Sequence, residues 1–197
     1  MMIVGLCGRA GAGKDTVAGV LVDRFGFSSY SLAAEVKSCL IDLDPFVPID
    51  NRPVRLSELL LDSSLEVLKR SYPEVRRLLQ VLGTEVVRAR VESFWVDRIE
   101  DRLLVERPKR VVITDVRFKN EVEWVRYLGG MVFCVERDGV HDQHAGVKHS
   151  SELGFDDKFI DRVINNSGDF EDLICIVEDL MGCYGLDSPS AAEKERL

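Results

Sequence analysis

The 197-residue sequence lacks any uninterrupted apolar segment near the roughly 20 residues that a membrane-spanning helix requires. No basic segment stands ahead of a long apolar run at its beginning, as a secretory signal would need. We therefore expect a cytoplasmic protein with no membrane partner.

Cysteine and histidine are scarce. The five cysteines are odd in number and widely spaced, and most lie within apolar segments, which is typical of buried reduced thiols. The three histidines, His141, His144 and His149, share one polar stretch and could in principle bind zinc. No cysteine lies near them, and a polar loop explains this composition without a metal, so zinc is the less favoured alternative.

Basic residues are outnumbered, 26 against 34 acidic ones, and the net charge of −8 argues against broad electrostatic binding to nucleic acid. A composition of 46% apolar and 30% charged residues is that of an ordinary globular domain. Any site for a phosphorylated ligand must therefore depend on a local group of basic residues and backbone amides.

Short apolar segments at residues 3–7, 110–115 and 131–135 alternate with stretches of helical periodicity. This alternation predicts an α/β fold, a parallel sheet with helices on both faces. Residues 54–70 and 74–106 predict two or three further helices. Ligands of such sheets bind beyond the carboxyl ends of the strands, where the glycine-rich turn after residue 7 and Asp115 both lie.

Residues 8–14, G-R-A-G-A-G-K, match the phosphate-loop pattern G-x-x-x-x-G-K directly between a predicted strand and a predicted helix. Glycines let successive backbone N–H groups point at a phosphate, and the helix start adds its positive dipole end. Lys14 adds a mobile charge for the outer phosphates. The residue after it is Asp15, where Ser or Thr is usual, and Thr16 follows. Asp15 is thus either a magnesium ligand or a first-turn acidic residue stabilised by the helix dipole.

With these residues in view, the sequence resembles the bacteriophage-type deoxynucleoside monophosphate kinases. The motifs that carry the resemblance are G-K-D-T at 13–16, L-Q-V-L-G-T-E at 79–85 followed by Arg88, F-W-V at 94–96, D-V-R-F-K-N-E at 115–121 and H-S-S-E at 149–152. The resemblance runs from residue 2 to about 180, and it rests on the order and spacing of the motifs together.

The resemblance implies a P-loop kinase fold that uses ATP and Mg²⁺ to convert a deoxynucleoside monophosphate into its diphosphate. It implies one kinase domain over residues 1–185, with a helical acceptor-binding region at about 31–107, a lid loop at about 137–152 and a polar tail at 186–197. It also suggests a homodimer acting in the host cytoplasm during phage replication.

The resemblance and the local chemistry together give a set of expected site residues. Those expected at ATP are Arg9, Gly11, Ala12, Gly13, Lys14, Asp15 and Thr16, with Asp15 as the magnesium ligand. Those expected at the acceptor are Arg9, Lys37, Gln80, Arg88, Trp95, Asp115, Arg117 and Glu121. Those expected to act in catalysis are Lys14, Asp115, Arg117 and Arg137.

Several of these residues have structural alternatives. Asp115 and Arg117 could satisfy each other as an ion pair. Glu121 could cap the helix that it begins. Trp95 could fill the core instead of stacking on a base. Arg88 and Arg137 could be exposed surface residues.

Two other functions compete with this one. One is a P-loop kinase for another phosphorylated small molecule, of the phosphomevalonate or dephospho-coenzyme A type. The other is a nucleotide-hydrolysing switch, although the N-K-x-D motif of guanine switches is missing. A monophosphate acceptor is already mostly dianionic at neutral pH, so it needs no general base. Positioning and positive charge are then the main requirements of the transfer.

Overall fold

The computed structural model describes residues 1–139 and 157–186. The chain divides into two compact units, the first formed by Met1–Ser31 and the chain from Leu103 onward, the second by Leu32–Arg102. Most of the expected lid loop, with the three histidines and the H-S-S-E motif, lies outside the described residues, as does nearly all of the polar tail.

The strands are β1 (Met2–Cys7), β2 (Ser28–Tyr30), β3 (Phe46–Ile49), β4 (Arg52–Arg55), β5 (Arg110–Ile113), β6 (Met131–Glu136) and β7 (Arg162–Asn165). The helices are α1 (Lys14–Phe25), α2 (Leu32–Leu43), α3 (Leu56–Leu60), α4 (Leu65–Ser71), α5 (Pro73–Gln80), α6 (Phe94–Glu106), α7 (Lys119–Tyr127) and α8 (Phe170–Gly182). A π-helical segment spans Val81–Arg88, and a short 3₁₀ helix spans Asp157–Phe159. Among the described residues, no helix combines the length and apolar character needed to cross a bilayer.

The first unit is built on a five-stranded sheet of order β2-β5-β1-β6-β7, in which every neighbouring pair is parallel. Side chains of β1 alternate between its two faces. Val4 and Leu6 belong to a buried cluster that includes residues of α1 and α8. Gly5 faces the other way, where an added Cβ would lie 2.9 Å from Val116 and 3.3 Å from Val125 of α7. The prediction of a parallel sheet with helices on both faces is confirmed.

The second unit is mostly helical and has its own core, formed by Leu40, Val47, Leu56, Leu65, Leu68 and Val75. The predicted two or three helices are divided further here. Ser64 begins α4 by accepting a hydrogen bond from the amide of Val67, and Pro73 begins α5 as its position predicts. The π-helical segment then separates α5 from α6.

The hairpin of β3 and β4 is not among the elements expected from the sequence, because prolines ordinarily interrupt a strand. Pro48 and Pro53 lie opposite each other in this two-stranded antiparallel ladder. A two-stranded sheet consists of edge strands alone, and edges tolerate residues without an N–H donor. The turn uses Asp50 and Asn51 with φ of 48° and 62°, the left-handed pair typical of a tight hairpin.

Candidate functional site

The glycine-rich turn after β1 has the backbone shape that its sequence predicts. Gly8, Gly11 and Gly13 have φ of 129°, 83° and 96°. A Cβ on Gly8 would lie 2.2 Å from the carbonyl oxygen of Val135, and a Cβ on Gly13 would lie 2.1 Å from the Nδ2 atom of Asn166. Both conformation and space therefore exclude a side chain at positions 8 and 13.

Lys14 begins α1 and folds back over this turn. Its Nζ atom donates hydrogen bonds to the carbonyl oxygens of Gly8, at 2.8 Å, and Arg9, at 2.9 Å. Burial lowers the pKa of Lys14, the charge of Arg117 lowers it further, and Asp15 and Asp115 oppose both effects. An incoming phosphate would replace neutral carbonyl acceptors with anionic ones, which is a stronger interaction for the ammonium group.

Asp115 lies just beyond β5, the strand that neighbours β1, and only 8% of its surface is exposed. Its Oδ2 atom accepts a hydrogen bond of 2.9 Å from the hydroxyl of Ser31. The amide of Thr114 donates to Tyr30 (2.9 Å) and that of Val116 donates to Leu6 (3.0 Å), so the backbone on both sides of Asp115 is tied to the sheet. Asp115 and the glycine turn thus share one edge of the sheet.

Arg117 and Glu121 differ sharply in exposure. The side chain of Arg117 is exposed, and its positive charge contributes to lowering the pKa of Lys14. Glu121 is only 3% exposed, and its Oε2 atom accepts hydrogen bonds from the amides of Arg117 (2.7 Å) and Phe118 (3.0 Å). This environment corresponds to the helix-capping alternative for Glu121, and it fixes the backbone from which Arg117 extends.

Two residues of this edge were not singled out from the sequence. Ser31 follows β2 and donates to Asp115, and Asn166 follows β7 and donates from Nδ2 to the carbonyl oxygen of Ala12 at 2.8 Å. Asn166 is only 7% exposed. The available signal was position alone: each is a polar residue directly after a short strand, at the edge where Asp115 also lies.

Magnesium prefers oxygen ligands, and it commonly takes one or two carboxylates together with substrate phosphates and water. Asp15 and Thr16 are exposed in the first turn of α1, and Asp115 lies at the same edge of the sheet. Across residues 1–139 and 157–186, no group of three or more His, Cys, Asp or Glu side chains is placed to hold a metal. This donor set fits an ion held jointly by carboxylate and phosphate oxygens.

Arg137 and Arg9 are both exposed. Arg137 directly follows β6, the other neighbour of β1, so its backbone also lies at the carboxyl edge of the sheet. Arg9 is in the glycine turn itself. Arg9, Arg117 and Arg137 therefore add three exposed guanidinium groups to the first unit, beside the partly buried Lys14.

The remaining expected residues belong to the second unit, where side chains engage one another locally. Lys37 forms an ion pair with Glu66 at 2.5 Å. The side-chain amide of Gln80 donates to Glu85 at 3.5 Å. Arg88 is the last residue of the π-helical segment and is half-buried.

Trp95 is 4% exposed, and its ring packs inside the second unit. Its Nε1 atom donates to the carbonyl oxygen of Gly83 at 2.9 Å, and its ring meets Phe94 edge-to-face with centroids 4.9 Å apart. This environment corresponds to the core-filling alternative for Trp95. The indole also satisfies a carbonyl of the π-helical segment.

Comparisons with known proteins agree on the family. The family model described as deoxynucleotide monophosphate kinase matches residues 60–177. A protein of Acanthamoeba polyphaga mimivirus is 28% identical over 172 residues, which cover 78% of this chain and 81% of that protein. The deoxynucleoside-5'-monophosphate kinase of Escherichia phage T5 is 28% identical over 179 residues, with 64% and 72% covered.

Among solved structures, the dephospho-CoA kinase from Campylobacter jejuni aligns with a TM-score of 0.47 and 15% identity, covering 92% of this chain and 96% of that one. No conclusion about function follows from a likeness at this level. The family match spans more than half of the chain and includes the D-V-R-F-K-N-E motif. The chain belongs to the deoxynucleotide monophosphate kinase family.

Proposed function

We propose that this protein transfers the γ-phosphoryl group of ATP to a deoxynucleoside monophosphate, with Mg²⁺, and releases ADP and the deoxynucleoside diphosphate. Family membership supports the reaction class. The observation that carries the proposal is the position of the Lys14 ammonium group, held over the carbonyl oxygens of Gly8 and Arg9 at the start of α1. A cation and a helix N-terminus then lie together at a glycine-rich turn, and such a combination is the environment that a polyphosphate requires.

The donor nucleotide binds at the glycine turn. Backbone amides of residues 11 and 13–16 and the dipole of α1 are proposed to hold its phosphates, and Lys14 moves from the two carbonyl oxygens to the outer phosphates. Partial burial strengthens this contact, since the charge of Lys14 is less screened by water than that of a surface lysine. Arg9 is exposed in the turn and is proposed to contact the phosphates of ATP or the phosphate of the acceptor.

Asp15, Asp115 and the hydroxyl of Thr16 are the groups proposed to hold the metal, directly or through water. Mg²⁺, when bound, neutralises charge on the transferring phosphoryl group. Ser31 donates a hydrogen bond to one oxygen of Asp115 and so orients the carboxylate at this edge of the sheet.

Arg117 is the proposed clamp for the acceptor phosphate, because it is exposed and its charge already acts on Lys14. Its guanidinium group brings the acceptor phosphate close to the phosphates of ATP. The dianionic acceptor then attacks without losing a proton. Arg137 is proposed to neutralise charge on the transferring group. Acceptor contacts by the remaining expected residues stay predictions; these residues are Lys37, Gln80, Arg88, Trp95 and Glu121.

The test is a coupled ADP-release assay with every common ribo- and deoxyribonucleoside monophosphate and with phosphomevalonate and dephospho-coenzyme A as competing acceptors, followed by mass analysis of the product. We expect activity with at least one deoxynucleotide, its loss in Lys14→Ala, and a raised acceptor KM in Arg117→Ala. Activity with only phosphomevalonate or dephospho-coenzyme A would favour the other kinase class. Acceptor-free hydrolysis that a protein or nucleic acid stimulates would favour a switch.

The homodimer and the site of action in a host cytoplasm belong to the same proposal. Light scattering on the purified full chain, with and without nucleotides, measures the assembled mass directly. A mass of one chain at micromolar concentration would contradict the dimer while leaving the reaction unaffected.

A further inference from the structure

The side chain of Asn166 forms a buried contact that the reaction described above does not use. Its Nδ2 atom donates to the carbonyl oxygen of Ala12 at 2.8 Å, and the two residues are 7% and 1% exposed. The backbone amide of Asn166 donates to Glu136 at 2.7 Å, one residue beyond the β6–β7 ladder. The side chain is therefore held from a strand end and directed at the glycine turn.

The carbonyl that Asn166 holds belongs to the peptide unit between Ala12 and Gly13. A peptide unit is planar and almost always trans, so its C=O and N–H groups point in opposite directions. A donor that fixes the direction of the Ala12 C=O also fixes the direction of the Gly13 N–H. That N–H is one of the amides of the phosphate loop.

The glycine at position 13 gives independent support. An added Cβ at this position would lie 2.1 Å from Nδ2 of Asn166 and 3.3 Å from its Cγ. Gly13 also has φ of 96°, a conformation that other residues rarely adopt. The last glycine of the motif is thus required both by the backbone and by the side chain that packs against it.

We propose that Asn166 is a positioning residue that directs the Gly13 N–H toward the phosphates of the donor nucleotide. It touches neither substrate and acts through the peptide unit between Ala12 and Gly13. This inference rests on the proposed function to the extent that the glycine turn binds polyphosphate. It adds a residue distant in sequence from the motif to the preorganisation of the loop.

The test uses the full-length protein with Asn166→Asp and Asn166→Ala. The first variant keeps the shape but places a carboxylate oxygen against the Ala12 carbonyl, and the second removes the donor without adding charge. The matched control is Asn165→Asp, an identical change at the exposed neighbour. The Asn165 oxygen accepts from the amide of Ser167 at 2.9 Å, and a carboxylate keeps that bond.

The measurements are calorimetric affinity for ATP and for inorganic tripolyphosphate, KM for ATP and for the acceptor, and thermal unfolding. We expect both Asn166 variants to bind tripolyphosphate about 10-fold or more weakly, because small displacements of binding groups have large effects. KM for ATP should rise, and KM for the acceptor should stay within about twofold. Asn165→Asp should remain close to wild type in all of these.

The proposal is overturned if the Asn166 variants bind tripolyphosphate as wild type does, or no more weakly than Asn165→Asp. It is also overturned if they lose only thermal stability and active fraction, with KM for ATP unchanged. Wild-type protein that binds no tripolyphosphate would overturn both this inference and the proposed function. Normal tripolyphosphate binding with the expected Asn166 effects, but no phosphorylated deoxynucleotide, would overturn the proposed function alone.

Discussion

The two units hold their polar residues in different ways. In the first unit, Lys14, Asp115 and Asn166 are buried or half-buried, and two of them bond directly to backbone carbonyl oxygens of the glycine turn. In the second unit, Lys37 pairs with Glu66 through side chains that are 34% and 53% exposed. The first arrangement lies at the ends of strands and at the start of α1, whereas the second is an ion pair between two more exposed side chains.

The two lysines therefore differ in their partners, because Lys14 bonds to neutral carbonyl oxygens whereas Lys37 bonds to a carboxylate. The hydrogen bond from Lys37 lowers the pKa of Glu66, so the pair is satisfied as it stands. Burial and the charge of Arg117 lower the pKa of Lys14, so its charged form is less favoured than it would be in water. A lysine bonded to neutral acceptors gains more from an anionic ligand than a lysine already paired with a carboxylate.

The largest effect on kcat/KM should come from removing the positive charge of Lys14 in the first unit. Lys14→Ala should lower kcat/KM by about 10²–10³-fold, the usual consequence of deleting one donor to a transition-state anion. Lys109→Ala is the matched control, because Lys109 is exposed and precedes β5 at the opposite edge of the sheet. Steady-state kinetics with ATP and the best acceptor would measure kcat/KM for both variants.

In the second unit, Lys37→Ala should raise the acceptor KM alone if the expected acceptor contact exists. An equal loss of kcat/KM in the Lys37 and Lys14 variants would break the contrast between a lysine bonded to neutral carbonyl oxygens and a lysine paired with a carboxylate.

The next effect tests whether Glu121 is a cap. Glu121→Ala should reduce the free energy of unfolding by about 1–3 kcal/mol, because it leaves the amides of Arg117 and Phe118 without their acceptor. Glu121→Gln keeps one oxygen and should lose less. Urea unfolding measures both. A Gln variant of full stability but greatly raised acceptor KM would instead make Glu121 a ligand.

A smaller effect on the free energy of unfolding is expected when the indole of Trp95 in the second unit is replaced. Trp95→Phe keeps an aromatic ring but loses the hydrogen bond to Gly83, which should reduce the free energy of unfolding by about 0.5–1.5 kcal/mol. Acceptor KM should be unchanged for every base if the ring fills the core. A base-dependent rise in KM at unchanged stability would restore the stacking alternative and weaken the contrast between the units.

The smallest expected effect is a change with pH in the free energy of unfolding of the ligand-free protein. Lys14 has a folded-state pKa below its ordinary value, so the unfolded chain binds more protons between the two pKa values. Stability therefore rises with pH across that window. The free energy of unfolding of Lys14→Met, minus that of wild type, should fall as pH rises. Urea titrations between pH 7 and about 10.5 measure this, and a constant difference would contradict it.

The sheet could be predicted because its strands are short continuous apolar runs bounded by turn residues. The segment at 110–115 and the glycine motif needed no tertiary information. The second unit was less predictable. Its hairpin contains Pro48 and Pro53, and a proline interrupts a central strand but not an isolated edge pair, which only the pairing reveals.

The candidate site also combines residues whose place could be predicted from the sequence with residues whose place could not. Lys14 and Asp115 could be placed together because parallel strands end at one edge. Asn166 could not, since its role depends on which carbonyl its amide reaches across 154 positions of sequence. Spacing likewise left Trp95 and Glu121 open, because a helical tryptophan or a first-turn glutamate is equally compatible with core and ligand contacts.

The strand order has a consequence for insertions. β5, β1 and β6 are direct neighbours, and each is followed by one proposed participant: Asp115, the glycine turn and Arg137. The lateral spacing of their backbones is therefore set by the interval of about 4.8 Å between adjacent strands. Lengthening a connection at the opposite rim would alter the size of the protein without changing that interval, whereas deleting a single residue within β1 would rotate its whole side-chain pattern and misdirect the turn.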